Sequence, residues 1–312
     1  MKRVIFFGSS SFSVPFLEFL IKKTKLICVV TACDKPAGRG KILKPNIVKE
    51  CALRLGIESI LTPTSLKDDK FITTVSELKP DLIVVASYGK ILPEELLKIP
   101  KFGTINIHPS LLPLYPGAEP IFWQIARGEK ESGVSIFEMN SKSDKGEIIL
   151  QEKIEISEED NYADVENKLI NTGLKLLGEV IDMLDKGLSL PKTKGEDIET
   201  FYARKLLPVD EKINWNKSSK EIVDKIRAFS TKIGAYTMFN GQRVKIFKAK
   251  REELKEGNLK PGTIVVKEKN IFVKTGDSFI NIDFLKPEGK KIMKAFEFIN
   301  GYLKDFNEPK FE

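Results

Sequence analysis

The sequence predicts an α/β protein with a doubly wound, mostly parallel, Rossmann-like sheet, followed by a small OB-like β-barrel domain. Three observations lead there. In the first half, short runs that are apolar throughout alternate with helical patterns, as in a parallel sheet covered on both faces. Beyond residue 208 the texture changes to five or six short strands separated by turn pairs such as Asn240-Gly241. The charge divides near the same place. Residues 1–200 carry 27 Lys and Arg against 29 Asp and Glu, whereas residues 201–312 carry 24 against 15. The formal +7 of the chain therefore lies in its last third, where a polyanion is the natural partner and a merely lysine-rich surface is the plainer alternative.

Taken in order, "RVIFFG" (3–8), "KLICVVT" (25–31), "DLIVVAS" (81–87), "GTINIH" (103–108) and "GVSIFEM" (133–139) read as strands. Between them "VPFLEFLIKK", "NIVKECALRLG", "SLKDDKFITTVSELK" and "EPIFWQIARG" read as helices, which gives the βαβα order of an open sheet. Residues 161–187 form a long amphipathic helix with apolar residues three and four apart. Residues 188–208 are polar with a proline near each end. The expected division is therefore a first domain over 1–188, a linker over 189–207 and a C-terminal domain over 208–312. In the last of these, "SSKEIVDKIRAFS" (218–230) starts a helix at a serine cap, and "GAYTMF", "QRVKIFKAK", "GTIVVKEK", "NIFVKTG" and "SFINIDFLKP" follow as strands.

A chain of 312 residues with 41% apolar and 30% charged side chains has the balance of an ordinary globular protein of two domains. No apolar run approaches the ~18 residues of a membrane span. The basic, apolar beginning is better read as a first buried strand than as a leader, so a cytoplasmic protein without a membrane partner is expected. Three cysteines, one histidine and no Cys-x-x-Cys pair make a zinc site improbable, and no metal is expected. "GSSSFS" after the first strand is not the G-x-G-x-x-G of dinucleotide binding, and "PAGRGK" (36–41) lacks the spacing of a phosphate-cradling P-loop.

The chemistry-bearing residues lie elsewhere. Asn106 and His108, two apart on a strand, point to the same face. They stand near the strand's C-terminal end, where open α/β sheets place their ligands, and Pro109 keeps His108 extended. An amide beside an imidazole that ordinarily titrates near neutrality can polarise a carbonyl and carry one proton. A structural histidine satisfied by its neighbours is an equal reading of these residues alone. Asp144, in the turn "SDKG" after a strand, could orient that imidazole, although Asp-x-Gly turns are common and an ordinary turn aspartate is the simpler reading.

The pattern "NIHPSLLP", followed by a glycine and a downstream D-x-G-[DE], resembles the formyltransferases that use 10-formyltetrahydrofolate. "DKPAGRGKILKP" (34–45), "VVASYGKILP" (84–93), "INW" (213–215), "IRAFSTKIGAYTMFNGQRVKIFKA" (226–249) and "LKPEGKKIMKAFEFINGY" (285–302) extend the likeness nearly end to end. Along its whole length the chain is similar to the branch that acts on methionyl-tRNA. The resemblance implies transfer of the formyl group to the α-amine of the methionine on initiator methionyl-tRNA, for translation initiation, with no covalent intermediate on the enzyme. It implies that Asn106 holds the formyl oxygen, that His108 stabilises the oxyanion or carries the amine's proton, and that Asp144 orients and tunes His108. It further implies that Ser110, Leu111, Leu112 and Pro113 belong to the folate site. Lys35, Arg39 and Lys41 would lie in a loop that meets the tRNA acceptor stem, and the C-terminal domain would grip tRNA phosphates. The protein is expected to act as a monomer.

Three positions depart from the pattern. Leu114 stands where the resemblance calls for lysine, Pro116 where it calls for arginine, and Glu119 where it calls for a small residue. "MNSKSDKGE" keeps Asp144 and Gly146 while changing their neighbours. Within the enzyme class, the alternatives are formyl transfer to an amino-sugar nucleotide or to a purine precursor. Outside it, the alternative is an RNA-binding module whose catalytic half has decayed, against which Asn106, His108 and Asp144 all stand.

Overall fold

Seven strands build the first sheet. They are β1 (Arg3–Gly8), β2 (Lys25–Val30), β5 (Ile60–Leu61), β6 (Leu82–Ala86), β7 (Thr104–His108), β8 (Glu131–Glu138) and β9 (Ile148–Glu155). Their order is β5-β2-β1-β6-β7-β8-β9; the first five run parallel, and β8 and β9 close one edge antiparallel. A short hairpin of β3 (Lys35–Ala37) and β4 (Ile42–Lys44) stands apart from this sheet. The computed structural model describes residues 1–37, 42–195, 198–231, 233–304 and 306–312. It divides the chain into two compact units: residues 1–118, 131–155 and 166–203 form the first, and residues 119–130, 156–165 and 204–312 the second.

In the first unit, α1 (Val14–Lys23), α2 (Ile47–Arg54), α3 (Asp69–Glu77) and the short α4 (Glu94–Leu97) connect the strands. Asn46 caps α2 by accepting from the amides of Val48 and Lys49, and Asp68 caps α3 by accepting from Lys70 N, so each starts where its sequence has a capping side chain. β1 and β6 are almost wholly buried, which is why their sequences are apolar without alternation. The long α6 (Tyr162–Asp185) lies against one face of the sheet; a side chain at Gly173 would stand 2.9 Å from the Phe16 ring and 3.3 Å from Ile107 Cγ2. Ile107 and its neighbours Asn106 and His108 alternate in direction, so the two polar residues take the opposite face.

The linker expected over 189–207 does not stand free of the first unit. Thr193 bridges Ile148 and Ala203 bridges Gly117, and residues through 203 belong to that unit.

The second unit carries an antiparallel sheet of barrel type, ordered β10-β11-β14-β13-β12. These strands are β10 (Ala235–Phe239), β11 (Gln242–Glu252), β12 (Ile264–Lys267), β13 (Asn270–Lys274) and β14 (Phe279–Pro287), with β15 (Met293–Lys294) on β14. Register shifts around Lys248 bend the long β11, as bulges do. α7 (Ser219–Phe229) opens on a capping box in which Glu221 N donates to Ser218 Oγ and Ser218 N donates to Glu221 Oε2. The turn of α8 (Ala295–Phe298) follows β15. α5 (Pro120–Ala126), although it comes from the first half of the sequence, packs here through Phe122 on Phe229, ring centroids 4.5 Å apart. No helix among the described residues is long and apolar enough to cross a membrane.

Candidate active site

In the first unit, β7 lies between β6 and β8, deep in the sheet, and its end carries His108, only 4% exposed. Asn106 pairs with Phe137 and His108 with Ser135 across the β7–β8 ladder. The strand stops at Pro109, and the chain turns back over the sheet as residues 110–118. This return is tightly bonded. Ser110 Oγ donates to Leu114 O (2.6 Å), Ser135 Oγ donates to Ser110 O (2.6 Å), and Leu112 N donates to Ser135 Oγ (2.9 Å). Gln151 Nε2 donates both to Leu112 O (2.9 Å) and to Ser135 Oγ (2.7 Å). Tyr115 O then stands 3.1 Å from His108 Nε2.

Asp144 approaches from the other side. It adopts φ +53° in its turn, a conformation that aspartate tolerates better than most residues. Its Oδ2 accepts from Gly117 N (2.9 Å) and Ser143 Oγ (3.3 Å), and its Oδ1 lies 4.0 Å from His108 Nδ1. Gly146 makes this approach possible: a Cβ there would fall 1.7 Å from Glu138 O, so only glycine lets the turn lie flat on β8. The three residues singled out from the sequence are thus brought towards one another at the C-terminal end of β7.

Two buried polar atoms near this end have no hydrogen-bond partner among the described residues: Asn106 Oδ1 and the Tyr88 hydroxyl. Such atoms cost about 1–3 kcal/mol each unless something fills the gap, and they cluster where ligands bind. Burial pushes the Tyr88 phenol up to about 12, and the neighbouring Cys33 acts in the same direction. An unpaired acceptor and an unpaired hydroxyl suit a polar ligand at the strand ends.

Of the remaining candidates, Ser110 and Leu112 are buried, and Ser110 spends its hydroxyl on Leu114 O. Leu111 covers Gly133, where a side chain would fall 2.3 Å from Leu111 Cδ2. Lys35 is exposed on the β3–β4 hairpin, while Arg39 and Lys41 lie outside the described residues. Sequence reasoning passed over Ser135 and Gln151, and it gave Tyr115 and Gly117 no part in the site beyond fitting the pattern. Ser135 gave a signal, as the one hydroxyl inside the apolar run "GVSIFEM"; Tyr115 gave none, because tyrosine does not mark a left-handed turn.

In the second unit, Arg243, Lys248, Lys250 and Arg251 are exposed along β11, a row of cations suited to phosphates. A cavity of about 730 Å³ lies beside α7, lined among others by Trp123, Lys212, Trp215, Lys225 and Lys310. Burial lowers the Lys225 ammonium below its ordinary value, against the pull of Asp210.

Comparison with known proteins also finds two parts, divided continuously along the chain. Residues 1–181 match the formyl transferase family and residues 205–303 its C-terminal domain. The methionyl-tRNA formyltransferase of Thermodesulfovibrio yellowstonii is 43% identical over 96% of this chain and 95% of its own length. The enzymes of the same name from Dictyoglomus thermophilum and Bacillus subtilis are 41% and 40% identical over 98% and 96% of this chain and 99% and 95% of their own lengths. Among solved structures, the N-formyltransferase from Helicobacter canadensis, with folinic acid and dTDP-3-aminofucose, shares the fold at a TM-score of 0.67 and 22% identity, over 90% of this chain and 98% of its own. HypX from Aquifex aeolicus, in complex with tetrahydrofolic acid, matches at 0.64 and 18%, over 98% of this chain and 48% of its own.

Proposed function

The chain belongs to the methionyl-tRNA formyltransferases, and from that membership we propose that Asn106, His108 and Asp144 form its catalytic centre, with 10-formyltetrahydrofolate as the formyl donor. The protein is a one-carbon transferase that places a formyl group on the α-amine of the methionine carried by initiator tRNA, giving formylmethionyl-tRNA for translation initiation. The observation that carries this reading is identity above 40% to such enzymes across both halves of the chain, the C-terminal half included. Likeness to the amino-sugar enzyme extends to the fold alone.

The donor supplies an activated formyl carbon, and the chain supplies what acyl transfer to a neutral amine needs. The Asn106 amide, half-buried at the strand end, donates to the formyl oxygen as charge develops on it. His108 takes the proton that the amine loses as it attacks, and the Asp144 carboxylate stabilises the imidazolium that results. Ser110, Leu111, Leu112 and Pro113 shape the folate side of the site. Lys35, Arg39 and Lys41 meet the acceptor stem, and the cations of β11 hold tRNA phosphates through contacts that salt weakens. The first 188 residues carry the chemistry and residues 208–312 the tRNA affinity, in a cytoplasmic protein that acts as a monomer.

The test is direct. With methionyl-tRNA and 10-formyltetrahydrofolate, the protein should yield formylmethionyl-tRNA. Formylation of a dTDP-amino sugar with none of the tRNA would overturn the reading.

A further inference from the structure

A neutral imidazole has one proton for two nitrogens, and its surroundings decide which nitrogen keeps it. A backbone carbonyl has lone pairs and no hydrogen to give. The 3.1 Å contact between His108 Nε2 and Tyr115 O is therefore a hydrogen bond with the proton on Nε2. On the far side of the ring, Nδ1 lies 4.0 Å from Asp144 Oδ1, beyond the ~3.2 Å reach of an N–H···O bond. A proton resting on Nδ1 would draw that carboxylate into a short charge-assisted bond. Both contacts place the resting proton on Nε2 and leave the lone pair on Nδ1.

Tyr115 is held to this task at some cost. Its φ of +56° is uncommon for a bulky side chain, and the proline that follows disfavours helical conformations before it. Residues in such conformations persist where their surroundings fix them from several directions. Here Tyr115 N donates to Thr200 Oγ1 (3.3 Å), Ala203 N donates to Pro116 O (2.7 Å), and Gly117 N donates to Asp144 Oδ2 (2.9 Å). The preceding carbonyl, Leu114 O, accepts from Ser110 Oγ. The Tyr115 carbonyl is thus anchored before and behind, and it cannot turn away from His108 without breaking several of these bonds.

We infer that the Tyr115 carbonyl is a positioning group for formyl transfer: it fixes His108 as the Nε2–H tautomer, so that Nδ1 is the nitrogen that receives the amine's proton. This rests on the proposed role of His108 as proton carrier. The amine nitrogen bonds to the formyl carbon, the carbonyl π pair moves to oxygen, and the N–H proton passes to Nδ1. The imidazolium then stands between two acceptors, the Asp144 carboxylate and the Tyr115 carbonyl. As the carbonyl re-forms and the carbon–nitrogen bond to the folate breaks, Nδ1 returns the proton to the departing nitrogen.

The chain has one histidine, so ¹⁵N-histidine labelling gives imidazole signals from His108 alone. The neutral ring should show a lone-pair Nδ1 and an Nε2 whose proton exchanges slowly. Thr200→Val, which removes the acceptor of Tyr115 N, should speed that exchange and lower kcat on the order of tenfold, a part of what proton transfer contributes. The KM for folate should hold, and Thr200→Ser should restore both signals and rate. A neutral ring protonated at Nδ1, or rapid Nε2–H exchange with unchanged kcat in Thr200→Val, overturns the inference. Wild-type turnover measured in parallel separates the two readings. Turnover with Nδ1–H refutes the tautomer alone, and no turnover with Nε2–H refutes the proposed function.

Discussion

Ser135 stands directly across the β7–β8 ladder from His108, and its hydroxyl donates to the Ser110 carbonyl at 2.6 Å. The same oxygen accepts from Leu112 N and Gln151 Nε2, so one buried side chain uses its full hydrogen-bonding capacity to pin the segment that follows the histidine. The imidazole and the loop that engages it are therefore aligned from a single rung of the sheet. Ser135→Ala leaves the Ser110 carbonyl and the Leu112 amide without this partner, a loss of about 1–3 kcal/mol. Urea unfolding should show that loss, and formyl transfer should fall with it. Gln151→Ala keeps the bonds from Ser135 to the loop and should cost less on both counts. Equal behaviour of the two variants would mean that the Ser135 hydroxyl does not pin the loop.

Asp144→Asn isolates charge from shape. Asparagine tolerates the same left-handed backbone and can still accept from Gly117 N, so the turn should survive while the carboxylate is lost. The rate of formyl transfer should drop by roughly 10²–10⁴, the range of acid–base contributions, with circular dichroism and melting temperature little changed. His108→Ala should show the same loss, and the double variant should be no slower than either single one, since the pair acts as a unit. Additive losses would show that the two residues work independently.

Gly146→Ala tests the turn itself. The added methyl would fall 1.7 Å from Glu138 O, which no rotamer change relieves because the obstacle is backbone. The turn must lift from β8, carrying Asp144 away from His108. Overpacking of this kind costs about 1–3 kcal/mol, and turnover should fall at least as far as in Asp144→Asn. Near-normal kinetics in Gly146→Ala would mean that the turn can shift on β8 without moving Asp144.

These variants also mark what was legible beforehand. Asn106 and His108 could be paired from spacing alone, because a strand has period two and β7 is a strand. Asp144 could be noticed but not aimed, since the approach depends on Gly146 meeting a carbonyl of β8. The edge strand β9 escaped notice because its "IILQEKIE" is half exposed and alternates among turn-like charged residues. α5 and residues 156–165 read as parts of the first domain by sequence continuity, yet they pack in the second unit. Their partners, such as Phe229 for Phe122 and Arg227 for the carbonyls of Ser157 and Asp160, lie some way along the chain and leave no local mark. The left-handed Tyr115 was invisible for a similar reason: distant anchors, not its own propensity, hold it.

The capping box of α7 makes the second unit sensitive to acid. Hydrogen bonds from Lys217 and from the Ser218 hydroxyl and amide hold the Glu221 carboxyl at about 2, well below its ordinary 4.5. A group with a depressed folded pKa contributes stability that is complete above its unfolded value and lost as pH falls through the folded one. Wild type and Glu221→Gln should therefore differ by a constant amount above about pH 4.5, and the gap should close towards pH 2. The side chain is exposed, so the gap should be small. Calorimetry across this range reads it, and a gap that widens in acid would mean that the folded state raises the carboxyl instead of lowering it.

The tRNA-binding role proposed for the second unit is better tested by charge than by truncation. Cutting the chain at residue 208 would strip α5 and residues 156–165 of the unit they belong to, and a loss of binding would then report misfolding. Lys248, Lys250 and Arg251 are exposed on β11, and replacing them with glutamine changes charge with little change in packing. Each phosphate that the variant no longer neutralises should lower the slope of log affinity against log salt by about 0.7–0.9. The triple variant should therefore bind methionyl-tRNA more weakly at low salt, with a slope shallower by about 2, and approach wild type as salt rises. Its KM for folate should stay the same, because the residues proposed to hold folate lie in the first unit. Parallel salt plots for variant and wild type would place the tRNA phosphates on some other surface of the chain.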